Sequence, residues 1–168
     1  MLKIVKSISE LNIPQFLSVY QESIRKNGRD QYRNFPENQQ INLSEADLLD
    51  YMRDDFFRQC DAFCALWMAD GVYKSILRIE PFRDGVLLHA LETAPDDRKN
   101  GYGYELIKSV IAYLKQSQCK VVYSHIHKRN VPSIQLHKKC GFQRISESAA
   151  LVDGTVTQNY CTMCLNFK

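Results

Sequence analysis

The sequence predicts a single α/β (α+β) domain with a mixed, mostly antiparallel sheet of about seven strands and about four flanking helices. Apolar residues recur at helical spacing in some segments, whereas others alternate apolar with polar residues or form short apolar runs. Three of the predicted strands follow one another directly, which favours antiparallel neighbours. A later pair of strands encloses a helix, which favours a parallel pair joined by a right-handed crossover.

Length and composition fit one domain over residues 1–168, because a chain of 168 residues can bury one substantial core. Hydrophobic residues make up 45% and charged residues 24%, as in ordinary globular proteins. The formal charge of +3 is too small to indicate a nucleic-acid surface. No apolar stretch reaches the roughly 18 residues that cross a bilayer, and residues 1–6 are too charged for a signal peptide. We therefore expect a cytoplasmic protein without nucleic-acid or membrane partners, and the sequence leaves a homodimer open.

The cysteines predict buried, reduced thiols, because most of them lie in apolar surroundings. They are Cys60, Cys64, Cys119, Cys140, Cys161 and Cys164. Cys161 and Cys164 fall in a predicted strand, where residues three apart point to opposite faces. No second Cys or His pair at metal-ligand spacing accompanies them, so we expect no metal site.

The N-terminal third is predicted to form one strand and two helices separated by a loop. Alternation over residues 2–8 indicates the strand, and helical spacing over residues 10–26 indicates the first helix. Gly28, preceded by Asn, is a typical helix stop. Polar residues and a proline predict a loop over residues 29–43. A capping box then predicts the start of the second helix, over residues 44–59.

A meander of three antiparallel strands is predicted next, over residues 60–68, 72–79 and 86–91. A tight turn at Asp70 and Gly71 is predicted to join the first two strands, because an Asp-Gly pair tolerates the positive φ angles of such a turn. A second turn over residues 81–85 leads into the third strand.

The strand over residues 86–91 runs into a basic, glycine-bearing turn that opens a helix. Apolar residues at helical spacing place the helix start near Gly101; they are Leu106, Ile107, Val110, Ile111 and Leu114. The first amides of a helix have no partner within it and form an anion site. Gly101 and Gly103 remove Cβ atoms that would keep a phosphate away, and Arg98 and Lys99 add positive charge. This junction is therefore predicted to bind phosphate.

The C-terminal third is predicted to add three strands and one helix. A strong apolar strand over residues 120–127 follows the central helix, and a short helix follows over residues 130–139. Two final strands over residues 142–151 and 156–167 are joined by a turn at Asp153, which precedes a glycine.

Two sequence blocks resemble those of the GNAT N-acetyltransferase superfamily. The first, Leu91-x-Thr93-x-Pro95-x-x-Arg98-x-x-Gly101-x-Gly103, is similar to the acetyl-coenzyme A turn of that family. The second, Asn130-x-x-Ser133-x-x-Leu136-His137-Lys138-Lys139-Cys140-Gly141-Phe142, is similar to the family's Asn…Leu-Tyr…Gly-Phe segment. The order of the predicted elements also matches, so the likeness extends over nearly the whole chain.

The resemblance implies a sheet splayed between the parallel strands that begin near Val86 and Val121, with acetyl-CoA as co-substrate and its pantetheine arm in the gap. Where two parallel strands part, their unpaired amides and carbonyls can bind the amides of a pantetheine. Backbone near Leu91 and Thr93 is implied to hold the pantetheine, the following turn the pyrophosphate, and the Asn130 side chain the cofactor. The full implied set is Leu91, Thr93, Arg98, Lys99, Asn100, Gly101, Tyr102, Gly103, Tyr104, Asn130 and Ser133.

The implied reaction transfers an acetyl group to a primary amine by direct attack in a ternary complex. The backbone amide of Leu91 is the expected oxyanion donor. A lysine-type amine has a pKa of ~10.4, so a base or a water relay should remove its proton. His89 is the leading base, because in an unbulged strand it shares a face with Leu91 and Thr93, although a bulge would reverse that register. Glu92 and Glu80 are alternative bases, and a core histidine is the alternative role of His89.

The departing thiolate needs a proton, and the family often places a Tyr where this chain has His137. His137 is one candidate acid and Tyr123 is another, with helix-surface packing and aromatic packing as their respective alternatives. His125 and His127 alternate on one strand face without a third metal ligand at a readable spacing.

The acceptor is predicted only by class, as a small molecule or a peptide with a primary amine. Acidic residues surround the second predicted helix: Glu37, Glu45, Asp47, Asp50, Asp54 and Asp55. If they line an acceptor cleft they would favour a cationic amine, with Tyr32, Phe35 and Tyr51 packing on its carbon skeleton; otherwise they form a solvated helix face.

Two other functions stay open. The first is a non-catalytic acyl-CoA sensor or interaction module, because His137 departs from the family pattern. The second is a nucleotide-binding module, which the sequence disfavours because Leu106 replaces the third glycine of Gly-x-Gly-x-x-Gly.

Overall fold

The computed structural model describes residues 1–151 and 154–167 of the chain. Its helices are α1 (Ile13–Gln31), α2 (Glu37–Asp54), α3 (Tyr102–Gln116) and α4 (Val131–Lys139). Its strands are β1 (Leu2–Val5), β2 (Phe63–Ala69), β3 (Val72–Phe82), β4 (Gly85–Thr93), β5 (Val121–His127), β6 (Gln143–Ser146), β7 (Ala149–Ala150), β8 (Val156–Thr157) and β9 (Tyr160–Asn166). Among these residues, no helix is both long and apolar enough to cross a membrane.

Seven strands form one mixed sheet in the order β1-β2-β3-β4-β5-β9-β6, and β7 pairs with β8 in a separate small ribbon. Every neighbouring pair in the large sheet is antiparallel except β4 and β5, which are parallel. Helix α3 forms the crossover between them. The predicted fold class, the meander and the parallel pair are therefore confirmed.

The helices cover the two faces of the sheet and bury one apolar cluster on each. On one face, α3 and α4 pack Leu106, Val110 and Ile134 against strand residues that include Leu88 and Val122. On the other face, α1 and α2 pack against β1, β2 and β3 in a second cluster, whose fully buried members include Phe16, Met52, Phe56, Leu66 and Ile76. The two faces therefore present different surroundings to β4, which lies between them.

A bulge interrupts β4 where it pairs with β3. Arg78 is opposite His89 and Ile76 is opposite Glu92, so two residues of β4 face a single residue of β3. Ala90, inside this bulge, has a φ of 50°, a left-handed conformation that residues with a Cβ rarely adopt.

The bulge changes which side chains of β4 share a face. His89 packs against the Phe56 ring on the α1/α2 face, and Glu92 reaches Ser23 of α1 on the same face. Leu91 packs instead into the cluster beneath α3. The unbulged register, which would place His89 on the face of Leu91 and Thr93, is therefore wrong for this chain.

The predicted loop over residues 29–43 is too long, because both helices extend into it and leave only residues 32–36 between them. Gly28 lies inside α1, and a Cβ built on it would approach the Gln40 carbonyl oxygen of α2 to 2.6 Å. The glycine thus permits a close helix crossing and does not end the helix. α2 begins seven residues before Ser44, the predicted cap, which is a buried residue of its interior.

The last two predicted strands are correct in place but are divided in the structure. Residues 142–151 contain β6 and β7, and residues 156–167 contain β8 and β9. Asp153, predicted to lie in the connecting turn, is outside the described residues. At the other turns, Asp70 and Gly71 have the predicted positive φ angles of 52° and 74°, whereas β3 continues past Pro81 to Phe82.

Candidate functional site

The two parallel strands separate after a short stretch of pairing. β4 and β5 pair only from Val86↔Val122 to Leu88↔Ser124. Beyond that point β4 keeps β3 as its neighbour up to Thr93, and β5 keeps β9 up to His127. The facing edges of β4 and β5 therefore carry backbone groups without a strand partner, and these groups can bind an extended ligand with its own amides.

The loop that enters α3 is shaped to bind an anion. Lys99 and Gly101 have positive φ angles of 65° and 83°, whereas Arg98 is extended, and such alternation turns successive amides toward one concave side. Gly101, the N-cap residue of α3, has no side chain that could cap the first turn. At Gly103, in that first turn, an added Cβ would lie in ordinary van der Waals contact with Thr93 Oγ1, at 3.4 Å, so a side chain at this position would face the end of β4.

A cavity of about 620 Å³ connects the end of β4, this loop and the start of α4. It is lined by Leu91, Glu92, Thr93, Asp97, Arg98, Lys99, Gly101, Tyr102, Gly103, Tyr104, Asn130, Pro132, Ser133 and Leu136. The predicted cofactor-binding residues are therefore together in one cavity, except for Asn100, which is exposed and not part of the lining. Asn130 also caps α4, because its side-chain oxygen accepts a hydrogen bond from the Ser133 amide at 3.2 Å.

Two ion pairs hold consecutive residues, Asp97 and Arg98, of the loop before α3. Arg98 Nη2 lies 2.6 Å from Glu22 Oε2 on α1, and Arg98 Nε donates to the Thr93 carbonyl at 3.4 Å. Lys74 Nζ lies 3.0 Å from Asp97 Oδ1. The Arg98 guanidinium that should meet a phosphate is thus already paired with a partly exposed carboxylate.

A second cavity, of about 430 Å³, lies on the α1/α2 face of the sheet. It is lined by Tyr20, Ser23, Ile24, Lys26, Asn27, Gln31, Ser44, Asp47, Leu48, Tyr51, Arg78, Ala90 and Glu92. Among the described residues, Glu92 is the one that both linings share. Glu92 therefore lies where the two cavities approach each other, and its carboxylate is hydrogen-bonded to Ser23 on the α1/α2 side.

The Glu92 carboxyl is a candidate general base with a raised pKa. Burial raises the pKa of its carboxyl above the ordinary value, while the hydrogen bond from the Ser23 hydroxyl and the positive charge of Arg98 partly offset that rise. A carboxylate with a raised pKa is a stronger proton acceptor near neutral pH.

His89 is largely buried next to Glu80 and away from both cavities. Its Nε2 lies 3.6 Å from Glu80 Oε1 and has no hydrogen-bond partner among the described residues. Burial, and then the charges of Arg78 and His125, lower the pKa of His89 to about 3, so the ring is neutral near pH 7. Burial raises the pKa of Glu80, against a hydrogen bond from Gln59.

His137 is 2% exposed and held in one tautomer. Its Nδ1–H donates to the Ser133 carbonyl at 2.8 Å, and its ring packs edge-on against Phe142. Nε2 is buried without a partner among the described residues, and burial lowers the pKa of the ring. His137 is not part of either cavity lining, although Ser133, which accepts its hydrogen bond, lines the larger one.

Tyr123 lies toward the paired end of β4 and β5. Its hydroxyl donates to Asp84 Oδ1 at 2.9 Å, and its ring packs edge-on against Phe82. Burial and then this hydrogen bond raise the pKa of the phenol. The structure does not bring Tyr123 into either cavity lining.

The acidic residues of α2 mostly face solvent. Asp50 pairs with Arg53 at 2.7 Å and Asp54 with Arg58 at 3.2 Å. Asp47 lines the smaller cavity and accepts a hydrogen bond from the Tyr32 hydroxyl at 2.5 Å. Of the aromatic residues predicted beside these acids, Tyr51 lines the smaller cavity, whereas the Phe35 side chain is 47% exposed.

Sequence reasoning missed the residues that α1 and β3 contribute to the smaller cavity. Tyr20 and Ser23 are three apart on α1, so they share a helix face. Arg78 lies between the apolar residues Leu77 and Ile79 of β3. A charged residue between two buried apolar neighbours of a strand was a readable signal.

The described residues contain no group of three or more His, Cys, Asp or Glu side chains arranged to hold a metal ion. The cysteines carry free thiols, and Cys60 is the exposed one. Cys161 and Cys164 belong to different apolar clusters on opposite faces of the sheet, as the strand pattern predicted.

These features define a class of α/β domain in which an extended, phosphate-bearing ligand can lie between two parted parallel strands. The chain belongs to the GNAT acetyltransferase family: the model of the Acetyltransferase (GNAT) family matches residues 24–142. The resemblance seen in the sequence is therefore confirmed. A search of curated proteins found no match.

Solved structures of acetyltransferases share the fold at low sequence identity. The ribosomal-protein-alanine N-acetyltransferase of Brucella melitensis has 16% identity and a TM-score of 0.65, covering 99% of each chain. The PaiA N-acetyltransferase of Thermoplasma acidophilum, solved with coenzyme A, has 15% identity and a TM-score of 0.65, again covering 99% of each chain. A Bacillus subtilis acetyltransferase in complex with CoA has 15% identity and a TM-score of 0.54, covering 64% of this chain and 78% of that one. At these identities the likeness establishes the fold.

Proposed function

We propose that the chain, as one domain over residues 1–168, is an acetyl-CoA-dependent N-acetyltransferase that acts on a primary amine in a ternary complex. The observation that carries the proposal is the position of Glu92. It lines a cavity suited to the cofactor on one side and a separate cavity suited to an acceptor on the other. Two substrates can therefore meet at one carboxylate without a covalent enzyme intermediate.

The larger cavity supplies the contacts that acetyl-CoA requires. The free edges of β4 and β5 suit the pantetheine amides, and the loop from Arg98 to the start of α3 suits the pyrophosphate. When bound, acetyl-CoA supplies an activated acyl group as a thioester. The chain would orient that thioester at the end of β4.

In the proposed reaction, Glu92 accepts a proton from the amine as the amine nitrogen bonds to the acyl carbon. The carbon–sulfur bond breaks, the electron pair leaves with sulfur, and the resulting thiolate takes a proton to give CoA-SH. The Leu91 amide, next to Glu92 on β4, is the proposed donor to the developing oxyanion. Glu80 and His89 are weaker base candidates, because neither lines the two cavities and the pKa of His89, about 3, makes its ring a weak proton acceptor.

His137, Tyr123 and water are the three candidate donors of the proton that the thiolate takes. His137 can donate from Nε2 only when its ring is doubly protonated, because its single neutral proton is held at Nδ1 by the Ser133 carbonyl. Tyr123 donates its proton to Asp84. Water in the open cavity is therefore an alternative proton donor to either side chain.

The proposal is tested by Glu92→Gln, assayed for CoA release over a broad amine panel. Loss of a general base is expected to lower kcat by about 10²- to 10⁴-fold and to remove the fall in rate at acid pH. Glu37→Gln, at the exposed start of α2, is the matched control and should leave the rate unchanged. Unchanged turnover and pH profile in Glu92→Gln would exclude this carboxylate as the base.

A second candidate function is a non-catalytic acyl-CoA sensor or interaction module. The observation that favours it is the neutral, buried His137 at the position where the family often has an acid. Calorimetry with acetyl-CoA separates the two functions. Tight binding without CoA release for any amine would favour the sensor, whereas amine-dependent release would exclude it.

A further inference from the structure

The smaller cavity contains an arginine that has no anionic partner among the described residues. The Arg78 guanidinium carbon lies 5.9 Å from the Tyr20 ring centroid, 5.2 Å from that of Tyr51 and 6.0 Å from that of Phe56. Nη1 contacts the Met52 sulfur at 3.9 Å, and the buried Nε has no partner. A guanidinium remains charged in proteins, so this site holds a half-buried cation with no ion pair among the described residues, although its charge partly offsets the rise that burial causes in the pKa of Glu80 and of Glu92.

The nearest carboxylates are engaged elsewhere. Glu80 accepts a hydrogen bond from Gln59 at 3.2 Å and lies beside His89, and Glu92 accepts one from Ser23. The aromatic rings stabilise the guanidinium by cation–π contacts but leave its buried Nε–H without a hydrogen-bond partner among the described residues. The planar fork of donors can bind an oxyanion such as a carboxylate through two parallel hydrogen bonds.

The charges around the cavity also balance. Asp47 and Glu92 are acidic, and Lys26 and Arg78 are basic. A diamine would place a second cation near Arg78, which would repel it. A zwitterion would place its amine near Glu92 and its anion near Arg78, so both charges of the ligand would lie beside an opposite charge of the protein.

The sheet register places the Arg78 and Glu92 positions close together. Arg78 is opposite His89, and Glu92 is opposite Ile76, so Arg78 and Glu92 are diagonal neighbours on the same face. Diagonal positions on adjacent antiparallel strands are roughly 7–8 Å apart. An acceptor that touches both side chains therefore needs its amine and its carboxylate on one short carbon skeleton.

We infer that the acceptor of this enzyme is a compact amino acid, whose carboxylate binds Arg78 while its amine lies at Glu92. The inference rests on the proposed acetyl transfer and narrows its substrate class. It replaces the cationic amine that the acidic residues of α2 suggested, because Asp47 alone among those acids lines this cavity.

The test compares matched acceptors in the CoA-release assay: small amino acids, their carboxamides, and the corresponding amines without the carboxyl group. Wild-type protein is expected to prefer the amino acids by at least about 10-fold in kcat/KM. Arg78→Gln should lower kcat/KM for the amino acids by about 10²-fold, mainly through KM, and should leave the rates of the carboxamides nearly unchanged. Arg78→Lys should recover part of the loss, because it restores the charge without the fork.

The control is Arg53→Gln, which removes an exposed arginine of α2 and should have no effect on either series. Equal rates for amino acids and carboxamides in wild-type protein, or an equal loss for both series in Arg78→Gln, would overturn the inference. Circular dichroism of each variant shows whether a loss of activity comes from misfolding. Arg78→Lys tests the same position with a second substitution that keeps the positive charge.

Binding measurements keep this inference separate from the proposed acetyl transfer. Calorimetry with the same amino acids, on protein saturated with CoA, reports acceptor binding without turnover. Binding that depends on Arg78 without CoA release would support the inference and contradict the transfer reaction. No binding of amino acids to wild-type protein, with amine-dependent CoA release from other acceptors, would overturn the inference and leave the transfer reaction standing.

Discussion

The Tyr20 hydroxyl of α1 donates a 2.8 Å hydrogen bond to the carbonyl oxygen of Ala90, the bulge residue of β4. This contact joins a helix to the point where β4 changes register, seventy residues later in the chain. The bulge in turn puts Glu92 on the α1/α2 face of the sheet and Leu91 in the cluster beneath α3. One hydroxyl thus helps to hold the bulge that separates these two side chains.

Tyr20→Phe is expected to destabilise the fold by about 1–3 kcal/mol, because the Ala90 carbonyl would lose its partner in a largely buried site. Turnover should also fall, since the bulge would be less firmly held. Chemical denaturation and kcat measure the two effects. Tyr113→Phe is the control, because the Tyr113 hydroxyl has no hydrogen-bond partner among the described residues. A Phe at this position keeps the ring contact with Phe63. Equal stability of Tyr20→Phe and the control would contradict the role of this contact.

Glu22→Gln is expected to tighten CoA binding by a few-fold, because it frees Arg98 from a carboxylate that competes with the phosphates. An exposed ion pair is worth about 0.2–1 kcal/mol, so the gain should not exceed about 5-fold. Arg98→Gln should weaken binding and reduce its dependence on salt concentration. Calorimetry with CoA at low and moderate salt measures both variants. Arg144→Gln, which breaks the exposed pair with Glu147, is the control and should change neither value.

His137→Phe is expected to keep kcat within a few-fold of wild type near pH 8, because burial lowers the pKa of this ring and leaves it neutral there. A general acid would instead contribute about 10²- to 10⁴-fold. His137→Asn, which can preserve the hydrogen bond to the Ser133 carbonyl, should restore stability lost in His137→Phe. Single-turnover rates are the required measurement, since they report the chemical step. A large loss of rate in both variants would establish His137 as the acid.

Acid should destabilise the protein through His89. Its folded-state pKa, about 3, is below the ordinary value of 6.5, so between these pH values the unfolded state binds the proton more strongly. The stability that the neutral His89 ring contributes to the folded state is fully present above pH 6.5 and is lost as the pH falls toward 3. His89→Gln should flatten this dependence, by at most about 1.4 kcal/mol per pH unit. Urea denaturation from pH 4 to pH 7 measures it, with His127→Gln as control; an unchanged slope in His89→Gln would contradict the prediction.

The sequence by itself determined the elements whose signals are local. The order of strands, the glycine-bearing turn and the first residues of α3 depend on apolar periodicity and on the conformational freedom of Gly101. For the same reason most residues that line the larger cavity could be grouped from the sequence, since they come from two continuous segments.

Only the tertiary structure decided which residues form the smaller cavity. Ala90 adopts a positive φ because surrounding contacts such as that of Tyr20 hold it there, and nothing in the local sequence of β4 requires it. Gly28, which resembles a helix stop, instead allows α1 and α2 to cross closely, and their crossing shapes the smaller cavity. The residues of that cavity come from two helices and two strands, so their proximity depends on long-range packing that no local pattern encodes.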